Sequence, residues 1–322
     1  MSRVALPPLG VGTAAIGNLY APISDDNAHA TIRAALDAGI GYFDTAPHYG
    51  FGLAERRLGA VLGDAPILLS TKVGRLLEPT NAGGVRHGFV DADPYEPRFD
   101  YSADGIRRSY ESSLVRLRRD RVDILLAHDL GRLTHGEDHP HHLRAFLDGG
   151  YRAMRELKQA GAIDAIGVGV NEIAICLELM AEVELDVILL AGRYTLLDRS
   201  AAEILMPECA RRGVQLIVGG PYNSGILAQD DLSGASPLHY DYASAPGRLV
   251  ERARELAVLC ARFGVALPAA ALQFPSHDPA VTTVIAGVAG ADQVRDLIAR
   301  VQTPVPAGLW RALAELPTEM TI

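Results

Sequence analysis

The feature that most constrains the fold of this chain is a set of eight short apolar runs. Segments with helical periodicity separate these runs. The apolar runs occupy residues 9–17, 41–45, 66–74, 121–129, 162–171, 185–192, 214–220 and 280–287. Helical patterns lie between them, for example at 25–39, 102–120 and 248–264. Continuous apolar strands that alternate with helices are typical of a parallel sheet buried on both faces.

Eight such strand–helix units in 322 residues predict a single domain, residues 1–322, folded as a (β/α)8 barrel of the TIM type. An open doubly wound sheet is the alternative, but no GxGxxG sequence follows the first strand. The connections at 75–101 and 130–150 are too long to be simple turns. Both follow strands, so we expect them on the carboxyl-terminal face of the barrel, where they would cover a substrate.

The composition of the chain limits the kinds of molecule that it is expected to bind. The formal net charge of −9, with no basic run to offset it, argues against nucleic acid or an anionic membrane as a partner. No apolar stretch approaches the ~20 residues that a bilayer crossing needs, and MSRVALPPLG does not resemble a signal peptide. Cys176, Cys209 and Cys260 are widely spaced and odd in number, which is typical of reduced thiols. We therefore expect a cytoplasmic protein that acts on small molecules.

Polar side chains stand where four successive apolar runs end. They are Asp44, Lys72, His128 and Asn171, and Tyr49 follows in the loop after the second run. Taken singly, each has a simpler interpretation, such as a turn cap, a solvated strand end or a core histidine. Because strand ends on one face of a barrel point toward its mouth, their joint occurrence predicts a functional site there.

These residue types suit proton transfer to or from one oxygen atom. A free tyrosine has a pKa near ~10, and a neighbouring ammonium group favours the phenolate and lowers that pKa. Asp44 would supply the counter-charge that Lys72 needs in a partly desolvated site, and His128 would hold the substrate oxygen. The set contains no obvious nucleophile, which indicates that a hydride donor or acceptor completes it.

Two other kinds of site compete with this interpretation. The sequence EDHPHH at 137–142, near His128 and Asp129, raises the possibility of a metal-dependent hydrolase. It lacks the helical HxxxH or strand-borne HxH spacing of rigid metal sites, so we expect no metal. Lys72 at a strand end is also compatible with a Schiff-base aldolase.

Four segments in order, FDTAPHYGFGLAERRLG, STKVG, DILLAHD and IGVGVN, resemble the aldo-keto reductase superfamily. The resemblance continues through PYNSGIL and VTTVIAGVAGADQV and so covers nearly the whole chain. It implies a (β/α)8 barrel with a bound nicotinamide cofactor. It also implies a catalytic tetrad, which falls here on Asp44, Tyr49, Lys72 and His128.

Within that superfamily, KVGRLLEP, LAHDLG, GVGVNE and GPYNSGILA are most similar to the dehydrogenases of L-fucose, D-threo-aldoses and L-galactose. Pyridoxal 4-dehydrogenase belongs to the same cluster. The resemblance implies oxidation of the anomeric hydroxyl of a sugar such as L-fucose, D-arabinose or L-galactose to the aldonolactone. Pyridoxal oxidation, general aldehyde or ketone reduction, and a non-catalytic nicotinamide-nucleotide sensor remain alternatives.

The resemblance also implies a set of cofactor contacts. These are Gly12, Thr13, Asp44, Asn171, Gly219, Gly220, Pro221, Gly225, Leu227, Gly287, Gln293 and Asp296. The chain departs from the family pattern at Val170, Ala191 and Gly219, where many members carry serine, glutamine and tyrosine.

Members that prefer NADP carry basic residues where this chain has Gly287, Val288 and Gln293. A 2′-phosphate without a basic partner loses its charge-assisted hydrogen bonds. We therefore expect NAD as the preferred cofactor, either alone or with weaker use of NADP.

Substrate contacts are expected from loop residues at the mouth of the barrel. The set is Tyr20, His48, Tyr49, Arg75, His128 and Asp129, with His87 and Tyr95 in the longer loop. Their polar and aromatic groups suit a polyhydroxylated ligand. The sequence leaves open the identity of the sugar, the direction of the reaction and the oligomeric state.

Overall fold

Eight parallel strands close into a barrel in the computed structural model, which describes residues 4–232, 238–241 and 243–316. The strands are β1 (Leu9–Gly12), β2 (Tyr42–Asp44), β3 (Leu68–Val73), β4 (Ile124–His128), β5 (Ala165–Val170), β6 (Val187–Ala191), β7 (Gln215–Gly219) and β8 (Val281–Gly287). Each strand pairs with the next, and β1 pairs with both β2 and β8, which closes the barrel. The predicted (β/α)8 fold is confirmed, and the open doubly wound sheet is excluded.

Helices surround the barrel, and one short helix, Arg132–His135, lies at its mouth. They are Asp25–Asp37, Leu53–Leu62, Ala103–Leu117, Arg132–His135, His139–Ala145, Tyr151–Gln159, Ile173–Glu182, Leu205–Arg212, Gly247–Arg262, Leu267–Gln273, Ala291–Gln302 and Ala307–Ala314. The helix before β7 begins at Leu205, after a turn. Among the described residues, no single helix is long and apolar enough to cross a bilayer. The bent pair Gly247–Arg262 and Leu267–Gln273 passes that test on length and composition alone.

Side chains that alternate along the strands fill the barrel interior. This inner cluster consists of Tyr42, Ile124, Leu126, Ala165, Val187, Leu189, Ile217 and Ile285. The strand residues between them point outward and pack under the helices in a second, larger core. Because the interior is filled with apolar groups, chemistry is confined to the ends of the strands.

The two long connections have secondary structure of their own. Residues 75–101 contain an antiparallel hairpin, Arg75–Pro79 paired with Tyr95–Phe99, which we call the β3 hairpin. Residues 130–150 form the short helices Arg132–His135 and His139–Ala145, followed by a wide helical turn, Phe146–Gly150. Local pairing satisfies the backbone groups of both segments.

The three cysteines are free and buried in the outer helical layer. Cys176, Cys209 and Cys260 lie on three successive helices, on the faces that pack against the barrel. Burial raises the pKa of Cys209 and of Cys260 to about 11, and that of Cys176 higher still. The thiols are therefore protonated and unreactive in the folded protein.

Candidate active site

The Lys72 ammonium group lies at the centre of the polar groups at the barrel mouth. Its Nζ donates hydrogen bonds to Asp44 Oδ2 at 2.7 Å, to the Thr45 carbonyl at 2.8 Å and to Tyr49 OH at 3.0 Å. Lys72 and Asp44 are 2 % and 3 % exposed. All three ammonium hydrogens are therefore engaged, and Tyr49 OH is held in a defined position.

The local backbone explains how Tyr49 reaches Lys72. The chain leaves β2 at Asp44 and turns back at once, with Tyr49 N donating to the Ala46 carbonyl at 3.0 Å. Gly17 packs directly against this turn, because a Cβ at Gly17 would lie 2.8 Å from the Tyr49 carbonyl carbon. Gly50 has a φ of +64°, and a Cβ added at this position would clash with the Gly17 carbonyl oxygen. Glycines at these two positions allow the close approach that fixes Tyr49.

Behind Asp44, two hydroxyl groups extend the network into the barrel. Ser70 Oγ donates to Asp44 Oδ1 at 2.7 Å, and Tyr42 OH lies 3.0 Å from Ser70 Oγ. Tyr42 and Ser70 are fully buried. Each carboxylate oxygen of Asp44 thus has its own donor, which holds the carboxylate in one orientation.

Replacing Ser70 with alanine is expected to lower the free energy of unfolding by about 1–3 kcal/mol. The change leaves Asp44 Oδ1 and Tyr42 OH buried without their partner. The double variant Tyr42→Phe/Ser70→Ala removes the stranded hydroxyl, so its loss should be smaller than the sum of the two single losses. Urea denaturation of the three variants measures this, and strictly additive losses would contradict the network.

His128 ends β4, and its ring lies perpendicular to that of Tyr49 with the centroids 6.0 Å apart. Burial, with further contributions from the cations Arg75 and Lys72, holds the pKa of His128 well below its usual value. The neighbouring His48 has a pKa that is lowered in the same way. Both imidazoles are therefore neutral, and a neutral His128 can donate one hydrogen bond to a substrate oxygen.

The pKa of Tyr49 departs from the sequence-based expectation. Burial, together with the carboxylates of Asp44 and Asp129, raises it well above the usual value, although the hydrogen bond from Lys72 favours the phenolate. The expectation of a lowered pKa was wrong, because it counted the ammonium group and left out desolvation. Tyr49 carries its proton in this structure.

A cavity of about 480 Å³ opens above the tetrad. Of the predicted substrate contacts, Tyr20, His48, Tyr49, His128 and Asp129 line it, and so does His87. The predicted contact Arg75 lies instead behind Asp129, outside the cavity lining. Lining residues that sequence reasoning missed include Leu19, Phe89, Glu172, Arg193 and Asp241. Phe89 lies in the predicted covering loop, but nothing local in the sequence marks the other four.

The predicted cofactor residues follow the same rim. Asn171 lines the cavity, and Thr13 is tied to the Asp44 carbonyl by its backbone nitrogen and its hydroxyl, both at 3.0 Å. Three of the remaining positions end strands: Gly12 ends β1, Gly219 ends β7 and Gly287 ends β8. Gly220 and Pro221 follow β7, and Gly225 and Leu227 lie in the turn Asn223–Ala228. Gln293 and Asp296 are exposed on the helix Ala291–Gln302.

The rim has room for an extended ligand. A Cβ at Gly225 or Gly287 would meet nothing within 4 Å, and Asn223 Oδ1 is buried with no hydrogen-bond partner among the described residues. The open backbone and the unpaired acceptor leave space and a polar partner for an extended ligand such as a nicotinamide nucleotide.

The residues of the two alternative sites, the histidine-rich metal site and the Schiff-base lysine, make other contacts in the structure. His139 contacts the Leu130 carbonyl and Glu178, both at 3.1 Å, and the His135 and His142 rings lie 4.1 Å apart. Across the described ranges, no group of three or more His, Cys, Asp or Glu side chains is placed to hold a metal ion. These histidines therefore stabilise the segment after β4. Lys72 has no hydrogen free of a partner, which argues against its use as a Schiff-base nucleophile.

Comparisons with known proteins agree with this geometry. Residues 8–316 match the model of the aldo/keto reductase family. The chain is 39 % identical to pyridoxal 4-dehydrogenase of Microbacterium luteolum, over 95 % of this chain and 92 % of that protein. It is 38 % identical to D-threo-aldose 1-dehydrogenase of a Pseudomonas species, over 97 % and 94 %.

A solved aldo-keto reductase of Bacillus halodurans, in its holo form, superposes with a TM-score of 0.72 at 26 % identity, covering 95 % of this chain and 91 % of that one. Enzymes of this family use nicotinamide cofactors, and the two sequence relatives from Microbacterium luteolum and Pseudomonas are dehydrogenases. The closed barrel, the four residues at its mouth and the matched length lead to one assignment. The chain belongs to the aldo/keto reductase family, and it is an oxidoreductase.

Proposed function

We propose that this oxidoreductase is an NAD-dependent aldose 1-dehydrogenase, which oxidises the anomeric hydroxyl of a sugar to the aldonolactone. L-Fucose, D-arabinose and L-galactose are the candidate substrates. The observation that carries the proposal is the Asp44–Lys72–Tyr49 contact set at the base of a cavity that has both polar and apolar lining residues. The similarity to D-threo-aldose 1-dehydrogenase supports a sugar substrate.

Each tetrad residue has a separate task in this reaction. Tyr49 takes the proton of the anomeric hydroxyl, and His128 holds the same oxygen in place. Lys72 stabilises the phenolate form of Tyr49 that accepts this proton, and Asp44 fixes Lys72. A bound nicotinamide cofactor supplies the acceptor for the hydride that leaves C1. In the reverse direction, the protonated Tyr49 donates to a carbonyl oxygen.

The preference for NAD follows from the end of β8 and the helix after it. Gln293, which stands where a basic residue would grip a 2′-phosphate, accepts a hydrogen bond from Ala289 N at 2.8 Å. Arg295 is paired with Asp292 on the surface of the helix. Asp296 is exposed on the same helix, and in this proposal its carboxylate accepts a hydrogen bond from the adenine amino group or the ribose. We therefore propose at least roughly tenfold higher kcat/KM with NAD⁺ than with NADP⁺.

The other proposals concern surroundings and substrate entry. The net charge of −9 supports a protein that acts on small molecules and binds neither nucleic acid nor an anionic membrane. The three unpaired cysteines support a cytoplasmic location. Residues 75–101 and 130–150 would cover the substrate, because they contribute His87, Phe89, Leu133 and Thr134 to the cavity lining.

Oxidation of pyridoxal is the second candidate. The 39 % identity to pyridoxal 4-dehydrogenase favours it, and so does the aromatic wall of the cavity. The rings of His48 and Phe89 lie perpendicular with centroids 5.4 Å apart, a pair that can pack against a planar pyridine. General aldehyde or ketone reduction is the third, and it suits a protonated Tyr49.

The test follows the absorbance of reduced nicotinamide with NAD⁺ and, separately, NADP⁺ against L-fucose, D-arabinose, L-galactose, other aldoses and pyridoxal. We expect the highest kcat/KM for an aldose with NAD⁺. A higher value for pyridoxal would replace the proposed substrate, and equal or better turnover with NADP⁺ would overturn the cofactor preference. No turnover in either direction would favour a nucleotide sensor.

A further inference from the structure

Asp129, the residue after His128, is held in an unusual backbone conformation. Its φ is +46°, in the left-handed region that residues other than glycine rarely adopt. Its backbone nitrogen donates to the Gly169 carbonyl at 3.0 Å. Tyr101 OH donates to the His128 carbonyl at 2.6 Å and lies 3.4 Å from the Asp129 carbonyl. Left-handed residues that neighbouring groups hold in place are concentrated at functional sites.

The conformation turns the Asp129 carboxylate toward the cavity. Asp129 is one of the lining residues, and its side chain is 19 % exposed. Its Oδ2 lies 3.4 Å from His128 Nε2. A substrate oxygen that His128 contacts through Nε2 therefore has the Asp129 carboxylate beside it.

Arg75 provides the counter-charge from behind. It is the first residue of the β3 hairpin, its side chain is 7 % exposed, and its guanidinium is ion-paired with Asp129. The guanidinium also lies over the Phe99 ring, 5.1 Å from the centroid. Burial raises the pKa of Asp129, whereas Arg75 and Lys72 favour its ionised form. An ionised carboxylate accepts hydrogen bonds and donates none.

We propose that Asp129 recognises the hydroxyl group on the carbon next to the reacting carbon, and that the site therefore selects α-hydroxy carbonyl compounds and their vicinal-diol forms. The proposal rests on the oxidoreductase function of the same site. Two vicinal oxygens lie close together, and so do the two groups that would meet them, since His128 Nε2 and Asp129 Oδ2 are 3.4 Å apart. One oxygen meets His128 and Tyr49, and its neighbour donates to Asp129.

The alternative is that Asp129 only orients the His128 ring. An orienting group affects every substrate alike, whereas a recognition group affects only substrates that carry the adjacent hydroxyl. The two roles are therefore distinguished by a matched pair of substrates that differ in that hydroxyl alone.

The experiment compares kcat/KM for reduction of lactaldehyde and propanal by the wild type and Asp129→Asn, with each reduced cofactor. Asparagine keeps the size of the side chain and tolerates a left-handed backbone, but its amide is a weaker acceptor. We expect the wild type to prefer lactaldehyde by about 10- to 100-fold, and the variant to lose most of this preference while propanal reduction changes less than about threefold.

Two further variants complete the comparison. Arg75→Lys keeps the cation but displaces it, and it is expected to reduce the preference by about 3- to 10-fold. Glu78→Gln, which removes an exposed carboxylate of the same hairpin that pairs with Arg98, should leave the preference unchanged. Melting temperatures of all variants establish that they are folded.

A wild type without the preference, or an Asp129→Asn variant that loses both activities equally, would overturn the proposal. The comparison of lactaldehyde with propanal does not depend on which sugar the enzyme oxidises. Failure of the proposed sugar oxidation therefore gives a result that differs from failure of the Asp129 proposal. In that case no aldose is turned over, while lactaldehyde is still preferred over propanal.

Discussion

Replacing Tyr49 with phenylalanine is expected to lower kcat by about 10³-fold or more in both directions, since a positioned acid/base group contributes about 10²- to 10⁴-fold. Tyr49 OH is the hydroxyl that Lys72 contacts at 3.0 Å, and it faces the cavity. Phenylalanine keeps the ring, which lies 6.5 Å from Phe89 and under the Lys72 ammonium group. The cavity shape should therefore persist, and cofactor affinity, measured by fluorescence titration, should change less than about threefold.

The control for this prediction is Tyr110→Phe. It removes a tyrosine hydroxyl that donates to the Ala162 carbonyl at 3.0 Å on the outer layer of the barrel, and it should leave kcat unchanged. The pH profile is a second readout. Because the pKa of Tyr49 is raised, its phenolate fraction grows with pH throughout the alkaline range, so wild-type oxidation should accelerate there. If the kcat of Tyr49→Phe stayed within about tenfold of the wild-type value, Tyr49 would not be the acid/base group.

Lys72→Met is expected to abolish turnover and to lower the free energy of unfolding by about 3–5 kcal/mol. The substitution leaves the Asp44 carboxylate buried without its cationic partner, and it removes the donor to Tyr49 OH. Methionine is close in length to the lysine stem, so the stability loss reflects the stranded charge. Chemical denaturation gives the stability change, and the nicotinamide assay gives the rate.

The matched variant is Asp44→Asn/Lys72→Met, which removes both charges. The asparagine side chain of this variant would still offer an oxygen to Ser70, whose Oγ lies 2.7 Å from Asp44 Oδ1 in the wild type. We expect the double variant to recover most of the lost stability and none of the activity. If the double variant were as unstable as Lys72→Met, the ion pair would not be the source of the loss.

The barrel could be predicted from the sequence because its strands are marked locally. Continuous apolar runs such as LDVILLAG identify strands buried on both faces, and the polar residue that follows several of these runs marks the mouth. The side chains of Asp44, Lys72 and His128 converge because adjacent parallel strands end at the same face. For these three residues, a place at or near the carboxyl-terminal end of a strand is enough to predict a place at the mouth of the barrel.

Other features depend on contacts that sequence periodicity does not encode. Leu267–Gln273 is buried on nearly all sides, so it shows no polar face by which an amphipathic helix is recognised. Arg75 was predicted to contact substrate because it follows a strand, but the β3 hairpin turns its guanidinium toward Asp129. The raised pKa of Tyr49 depends on desolvation by residues far apart in the chain.

The three buried cysteines give the protein an intrinsic label for barrel opening. A thiol-specific dye cannot reach Cys176, Cys209 or Cys260 while their helices stay packed on the strands. Labelling therefore requires the outer layer to separate, and its rate under mild denaturant reports the free energy of that opening in the natural sequence. Resolving the labelled peptides by mass spectrometry would show whether the helices at 173–182, 205–212 and 247–262 detach together or one by one.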